Sequence, residues 1–160
     1  MRFAYIVGMN AFELKQQLYQ HCSAVLNERI ATIVKRIADL KEAKANETKS
    51  SAGDKFETGR AMLQNEEQKA RQQLTEANTV LQVLGKLPPT LTPEVIGPGS
   101  LVTTDKGVYY ILVGVGKVPH EGKTYYCVSA GSPVAQAMAG KKAGDVWEIN
   151  GRKGKIVSIG

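Results

Sequence analysis

Thr48-Lys49-Ser50-Ser51-Ala52-Gly53, running directly into Asp54-Lys55-Phe56-Glu57, interrupts an otherwise unbroken helical pattern and decides how the first half of the chain folds. Upstream, from Phe12 to about Ala45, there is neither proline nor glycine. Apolar residues recur at Leu14, Leu18, Cys22 and Val25, then at Leu26, Ile30, Ile33, Ile37 and Leu40. The second set steps by four, three, four and three, the seam of a coiled coil. After the interruption the rhythm returns at Leu63, Ala70, Leu74, Ala77, Leu81 and Leu84, until Gly85 and Pro88-Pro89 stop it. A heptad pattern often signals dimerisation, but a polar break in its middle favours folding back within one chain. The spacing therefore predicts an antiparallel α-helical coiled-coil hairpin over residues 10–87, with its tip near 47–57, in a monomeric protein. Each helix of about 30 residues would span roughly 45 Å. One narrow seam cannot share another domain's core over that length, so the far end is expected to project.

Asp54 and Glu57 stand three residues apart at this tip, and they have two readings. Asp-x-x-Glu is close to a capping box, with Asp54 as N-cap and Glu57 at N3 of the second helix. Two carboxylates at the end of a thin projection also suit delivery of negative charge to a metal ion held by another macromolecule. From spacing alone both remain open, and helix caps are the commoner feature.

The totals restrict the alternatives. The chain has 160 residues, enough for one or two small domains. Its 21 basic and 15 acidic residues give a net charge of +6. This splits evenly, with 13 basic and 10 acidic residues in 1–88 and 8 and 5 in 89–160. Neither half is a basic nucleic-acid arm, though either could meet an acidic partner. Cys22 and Cys127 lie in different segments and are not spaced as a metal site, so they read as buried or reduced thiols of a cytoplasmic protein. No apolar run approaches the roughly 18–20 residues of a membrane helix. The octet Met1–Gly8 precedes a second methionine, Met9, and residues 1–9 are expected to be an N-terminal extension or tag.

The second half reads as a small β-rich domain. Residues 88–99, with Pro88-Pro89, Pro93 and Gly97-Pro98-Gly99, form a stiff linker. Within 100–160, strands are predicted at Leu101–Thr104, Val108–Val113, Lys123–Ser129, Val146–Ile149 and Lys155–Ile159. Asn150-Gly151 favours a tight turn between the last two. Ser132, Pro133 and Gly140 punctuate one short helix, as N-cap, N1 and stop.

The chemistry of a self-contained enzyme is missing. His21 is placed on a helix and His120 in a loop, and neither has a partner at zinc-ligand spacing. There is no nucleophile elbow, P-loop or dinucleotide signature, and Gly114-Val115-Gly116 reads as a bulge.

Against this background, Ser132-Pro133-Val134-Ala135-Gln136-Ala137-Met138-Ala139-Gly140-Lys141-Lys142-Ala143-Gly144-Asp145-Val146 resembles the bacterial transcript-cleavage factors of the GreA/GreB family. The order of parts, hairpin first, is similar too, from about residue 12 onward. The resemblance implies an FKBP-like α+β fold for residues 100–160 and a hairpin that enters the secondary channel of RNA polymerase. It implies that Asp54 and Glu57 help hold a Mg²⁺ ion, shared with the polymerase, where the RNA 3′ end of a backtracked transcript is cleaved. The protein would then be an accessory factor to the polymerase's own hydrolysis, docked by its globular domain on the channel rim. Lys141, Lys142 and Arg152 are basic and loop-like docking candidates, although solvated surface is the simpler reading. The chain departs from the family after Glu57. Thr58-Gly59-Arg60-Ala61 replaces the usual Asn-Ala-Glu-Tyr, and Lys55 replaces an apolar residue. Two other functions stay in view: a channel-binding regulator without cleavage activity, and a coiled-coil adaptor unrelated to polymerase in which Asp54 and Glu57 only cap a helix.

Overall fold

A computed structural model describes residues 10–49 and 54–160, with the side chains of 48, 49 and 54–56 outside that description. The chain is α+β: two long helices, α1 (Ala11–Lys49) and α2 (Asp54–Gly85), then a six-stranded sheet with one short helix. The expected extension at 1–9 and the tip residues Ser50–Gly53 lie outside the described residues. The break is narrower than the sequence predicts, because α1 continues through Thr48 and Lys49. Lysine is a good helix former, and threonine, though a weak one, does not break a helix already propagated from Ala11.

Among the described residues the chain divides into two compact units, 26–81 and 10–25 with 82–160. In the first unit, Ile37 and Leu40 of α1 bury against Ala70 of α2, flanked by Ile33, Leu63 and Leu74. Arg36 reaches Glu66, and Lys44 reaches Gln64, each at 2.8 Å. The pairing number falls on α2 as it rises on α1, so the two helices run antiparallel.

In the second unit the strands are β1 (Leu101–Thr104), β2 (Gly107–Leu112), β3 (Gly116–His120), β4 (Lys123–Ser129), β5 (Val146–Ile149) and β6 (Arg152–Ile159). Their order is β3-β4-β2-β1-β6-β5. Only the β2–β4 pair is parallel. Strand β3 is absent from the sequence reading, and His120 lies on it instead of in a loop. Pro119 hid it: proline cannot donate to a ladder and is tolerated only where one side is unpaired, and β3 is such an edge. Arg152 likewise opens β6 and is not in a loop. The β5–β6 connection is Asn150-Gly151 with φ of 50° and 78°, the mirror-image turn expected for Asn-Gly.

Side chains alternate across the sheet. On one face, Val102, Ile111, Trp147 and Ile156 form a core with Ala135 and Met138 of α3 (Pro133–Met138) and with Ile96. Ser132 caps α3 as predicted, its Oγ accepting from the Ala135 amide at 3.3 Å. Ile96 belongs to the stretch expected as a linker, yet it is buried and bonded through its backbone to Gly140 and Lys141. On the other face, Tyr110 and Cys127 meet the first turns of α1, where Lys15, Leu18 and Cys22 are all buried. Among the described residues no helix is long and apolar enough to cross a membrane.

Candidate functional site

The sequence-predicted site residues sit at the start of α2. Asp54 is its first residue, and Glu57 follows three positions later, on the same side of the helix one turn on. Glu57 is exposed to solvent; the placement of the Asp54 carboxylate lies outside the described residues. Two acids in a first turn oppose the positive end of the helix dipole and so stabilise it whether or not they do anything else. Asp54 is the first described residue of the helix and lies in its first turn.

The next residues explain one departure from the resembled family. A Cβ on Gly59 would lie 2.5 Å from Oε1 of Glu47, so the half-buried Glu47 carboxylate of α1 rests directly over Gly59 of α2. The glycine is the vacancy that admits it. Glu47 was not singled out by sequence reasoning, although it falls on the three-four rhythm continued past Leu40. Among the described residues no group of three or more His, Cys, Asp or Glu side chains is arranged to hold a metal ion. The exposed Glu57 offers a hard carboxylate oxygen of the kind Mg²⁺ prefers.

Behind the tip, a group of ion pairs fixes how the helices meet. Glu67 is buried and receives Lys44 from α1 and Arg71 from its own helix, each at 2.8 Å. Hydrogen bonds from Lys44, then from Arg71, hold its carboxyl down at about 2. A charge so placed fits one alignment of the two helices and leaves a buried ion unpaired in any slipped one.

The structure assembles a second group of titratable residues that sequence reasoning did not bring together. Lys15 and Cys22 of α1 face Tyr110 of β2 and Cys127 of β4, and all four are essentially without solvent contact. The Lys15 ammonium donates to the carbonyls of Leu91 and Gly160 and lies 5.8 Å from the Tyr110 ring centre. Burial lowers its pKa, and burial raises that of Tyr110. The Cys127 thiol is held up by its hydrogen bond with Cys22 and by burial, so it is a poor nucleophile. Cys22 and Cys127 are not joined in a disulfide. The group is sealed packing between helix and sheet. No substrate reaches it.

No protein-family model matches the chain, and no curated protein matches it either.

Proposed function

We propose that the chain is a Gre-like transcription elongation factor: a coiled-coil hairpin followed by an FKBP-like α+β domain, monomeric and cytoplasmic. It binds RNA polymerase through the secondary channel and its rim and stimulates cleavage of backtracked RNA. The observation that carries this reading is the exposed Glu57, in the same first turn of α2 as Asp54, at the end of two paired helices. Shared with the polymerase at Asp54 and Glu57, Mg²⁺ would supply charge stabilisation for hydrolysis of the phosphodiester. The carboxylates themselves accept hydrogen bonds from the attacking water and orient it toward phosphorus. The Lys44–Glu67 pair keeps the two helices in register, so that these acids are presented in one geometry. An FKBP-like fold carries no implication of prolyl isomerisation.

Stalled, backtracked elongation complexes test the reading. Addition of the protein should speed transcript shortening, and the Asp54→Ala, Glu57→Ala double variant should bind the polymerase yet lose most of that stimulation. An unchanged cleavage rate with the wild-type protein, or full activity in the double variant, rejects it.

Arg60 supports a second reading. A cation stands one turn beyond Glu57, where the resembled family carries an acid, and opposes metal uptake by charge. The protein would then occupy the channel without cleavage, altering initiation or pausing. Recovery of no polymerase subunit in a pull-down would instead favour an adaptor whose acids only cap a helix.

A further inference from the structure

A cleft of about 580 Å³ opens on the sheet domain, within the range of small-molecule sites. Its floor is aromatic. Tyr109 stacks on Tyr126, with ring centres 5.3 Å apart, and meets Trp147 edge-on at 6.3 Å. Trp147 is itself locked over Gly154, where a Cβ would lie 2.5 Å from the indole. These rings lose little freedom when a ligand lies against them, because packing has already fixed their rotamers. Its rim is basic. Lys106 comes from the β1–β2 turn, and Arg152 and Lys153 come from the start of β6. The turn is pinned by the Lys106 amide, which donates to Thr104 Oγ1 at 3.0 Å. Lys153 has one loose, exposed partner in Glu148, at 3.8 Å. Among the described residues, Lys106 and Arg152 have no carboxylate partner, and no acid lines the cleft.

Two cations, Lys106 and Arg152, approach one aromatic floor from two elements, while Lys153 follows Arg152 on the strand and pairs with Glu148. Surface charge placed only for solubility has no reason to be gathered so, and like charges held together repel. A ligand with a flat ring and an attached anion satisfies both parts: the ring rests on the Tyr109 side of the floor while the anion is shared by Arg152 and Lys106. We infer that this cleft binds a nucleoside phosphate, either a free nucleotide or the end of a single-stranded RNA. The site lies in the sheet domain and does not depend on the role assigned to Asp54 and Glu57.

Trp147 is the single tryptophan of the chain, so its fluorescence reports directly on the cleft. The purified full chain is titrated with AMP, ATP, adenosine, pyrophosphate and a short oligoribonucleotide. AMP and ATP should quench the signal saturably, with adenosine and pyrophosphate each about tenfold weaker or worse, because each fills only half of the site. Arg152→Glu and Lys106→Glu should each weaken ATP binding by about tenfold or more with an unchanged circular dichroism spectrum, and Arg152→Lys should keep part of it. An oligoribonucleotide that binds well above AMP identifies RNA as the source; parity identifies the free nucleotide. No saturable change at millimolar nucleotide, or equal ATP binding by wild type and Arg152→Glu, overturns the inference. Because polymerase is absent from this assay, its outcome is separate from that of the cleavage test.

Discussion

Gly154→Ala gives the sharpest test of how the sheet domain is packed. Gly154 sits in β6 opposite Trp147 of β5, with no positive φ to demand glycine. On backbone grounds alone alanine should stabilise, by roughly 0.4–1 kcal/mol, because it narrows the unfolded ensemble. Sterics say otherwise. The new methyl would lie 2.5 Å from Cε2, 2.6 Å from Nε1 and 2.7 Å from Cζ2 of Trp147. Carbon atoms at rest stand about 3.5–4.0 Å apart, so ring or strand must give by about 1 Å. Away from the cleft, Trp147 has little room to move. It is 4% exposed, packed in the core with Met138 and Ile156, and met by the Tyr109 ring. Overpacking of this kind costs about 1–3 kcal/mol, leaving a net loss of about 1–2 kcal/mol after the entropic gain.

The control is the same substitution in a Trp147→Leu background, where the clash is gone and only the gain of roughly 0.4–1 kcal/mol remains. Urea unfolding of all four proteins, followed by far-ultraviolet circular dichroism, should give a coupling energy of about 2 kcal/mol between the two positions. If Gly154→Ala has the same effect in both backgrounds, or stabilises the wild-type protein, the indole does not occupy the space described.

Two further outcomes follow from the helices. Glu67 has a folded-state pKa near 2, below its ordinary 4.5, so its ion pairs stabilise the fold above the ordinary carboxylate range and are lost as pH falls toward 2; urea midpoints measured across that window should drop for the wild type and drop less for Glu67→Gln. Gly59→Ala also creates a 2.5 Å contact, but with the free end of the Glu47 side chain, which can swing aside. The helix should therefore gain up to about 1 kcal/mol in thermal unfolding while the Glu47 carboxylate leaves its seat, and a loss of stability would show that this carboxylate is held there firmly.

Much of the architecture was legible because it rests on period and punctuation. Leu26, Ile37, Leu40, Ala70 and Leu84 are buried where the three-four rhythm placed them, and Ser132 and Asn150-Gly151 act as cap and turn. The misses have specific causes. Strand β3 was masked by Pro119, and its return turn, Glu121-Gly122, contains no Asn or Asp to announce it, although φ at Glu121 is 49°. Ile96 sits among prolines and glycines that read as a linker, and only pairing with the distant Gly140 and Lys141 draws it into the core. The Lys15, Cys22, Tyr110 and Cys127 group joins residues far apart in the chain, which no local pattern records.

The interhelical charges were different: their signal was present in the apolar rhythm itself. Continued past Leu40 by four and three, the steps fall on Lys44 and Glu47; continued between Leu63 and Ala70, they fall on Glu67, and back from Leu63 by four, on Gly59. Those positions are where Lys44 meets Glu67 and Glu47 lies over Gly59. Toward the interruption, then, the apolar seam gives way to charged and empty layers. Leucine there would have bound the helices more tightly, and a buried ion pair is a poor source of stability beside it. What the polar layers provide is a single alignment, together with a half-buried Glu47 carboxylate seated over Gly59. On the Gre-like reading this alters the meaning of Thr58-Gly59-Arg60. On that reading the Glu47 carboxylate seated over Gly59 would be a further position to vary, with Asp54 and Glu57, in the cleavage assay.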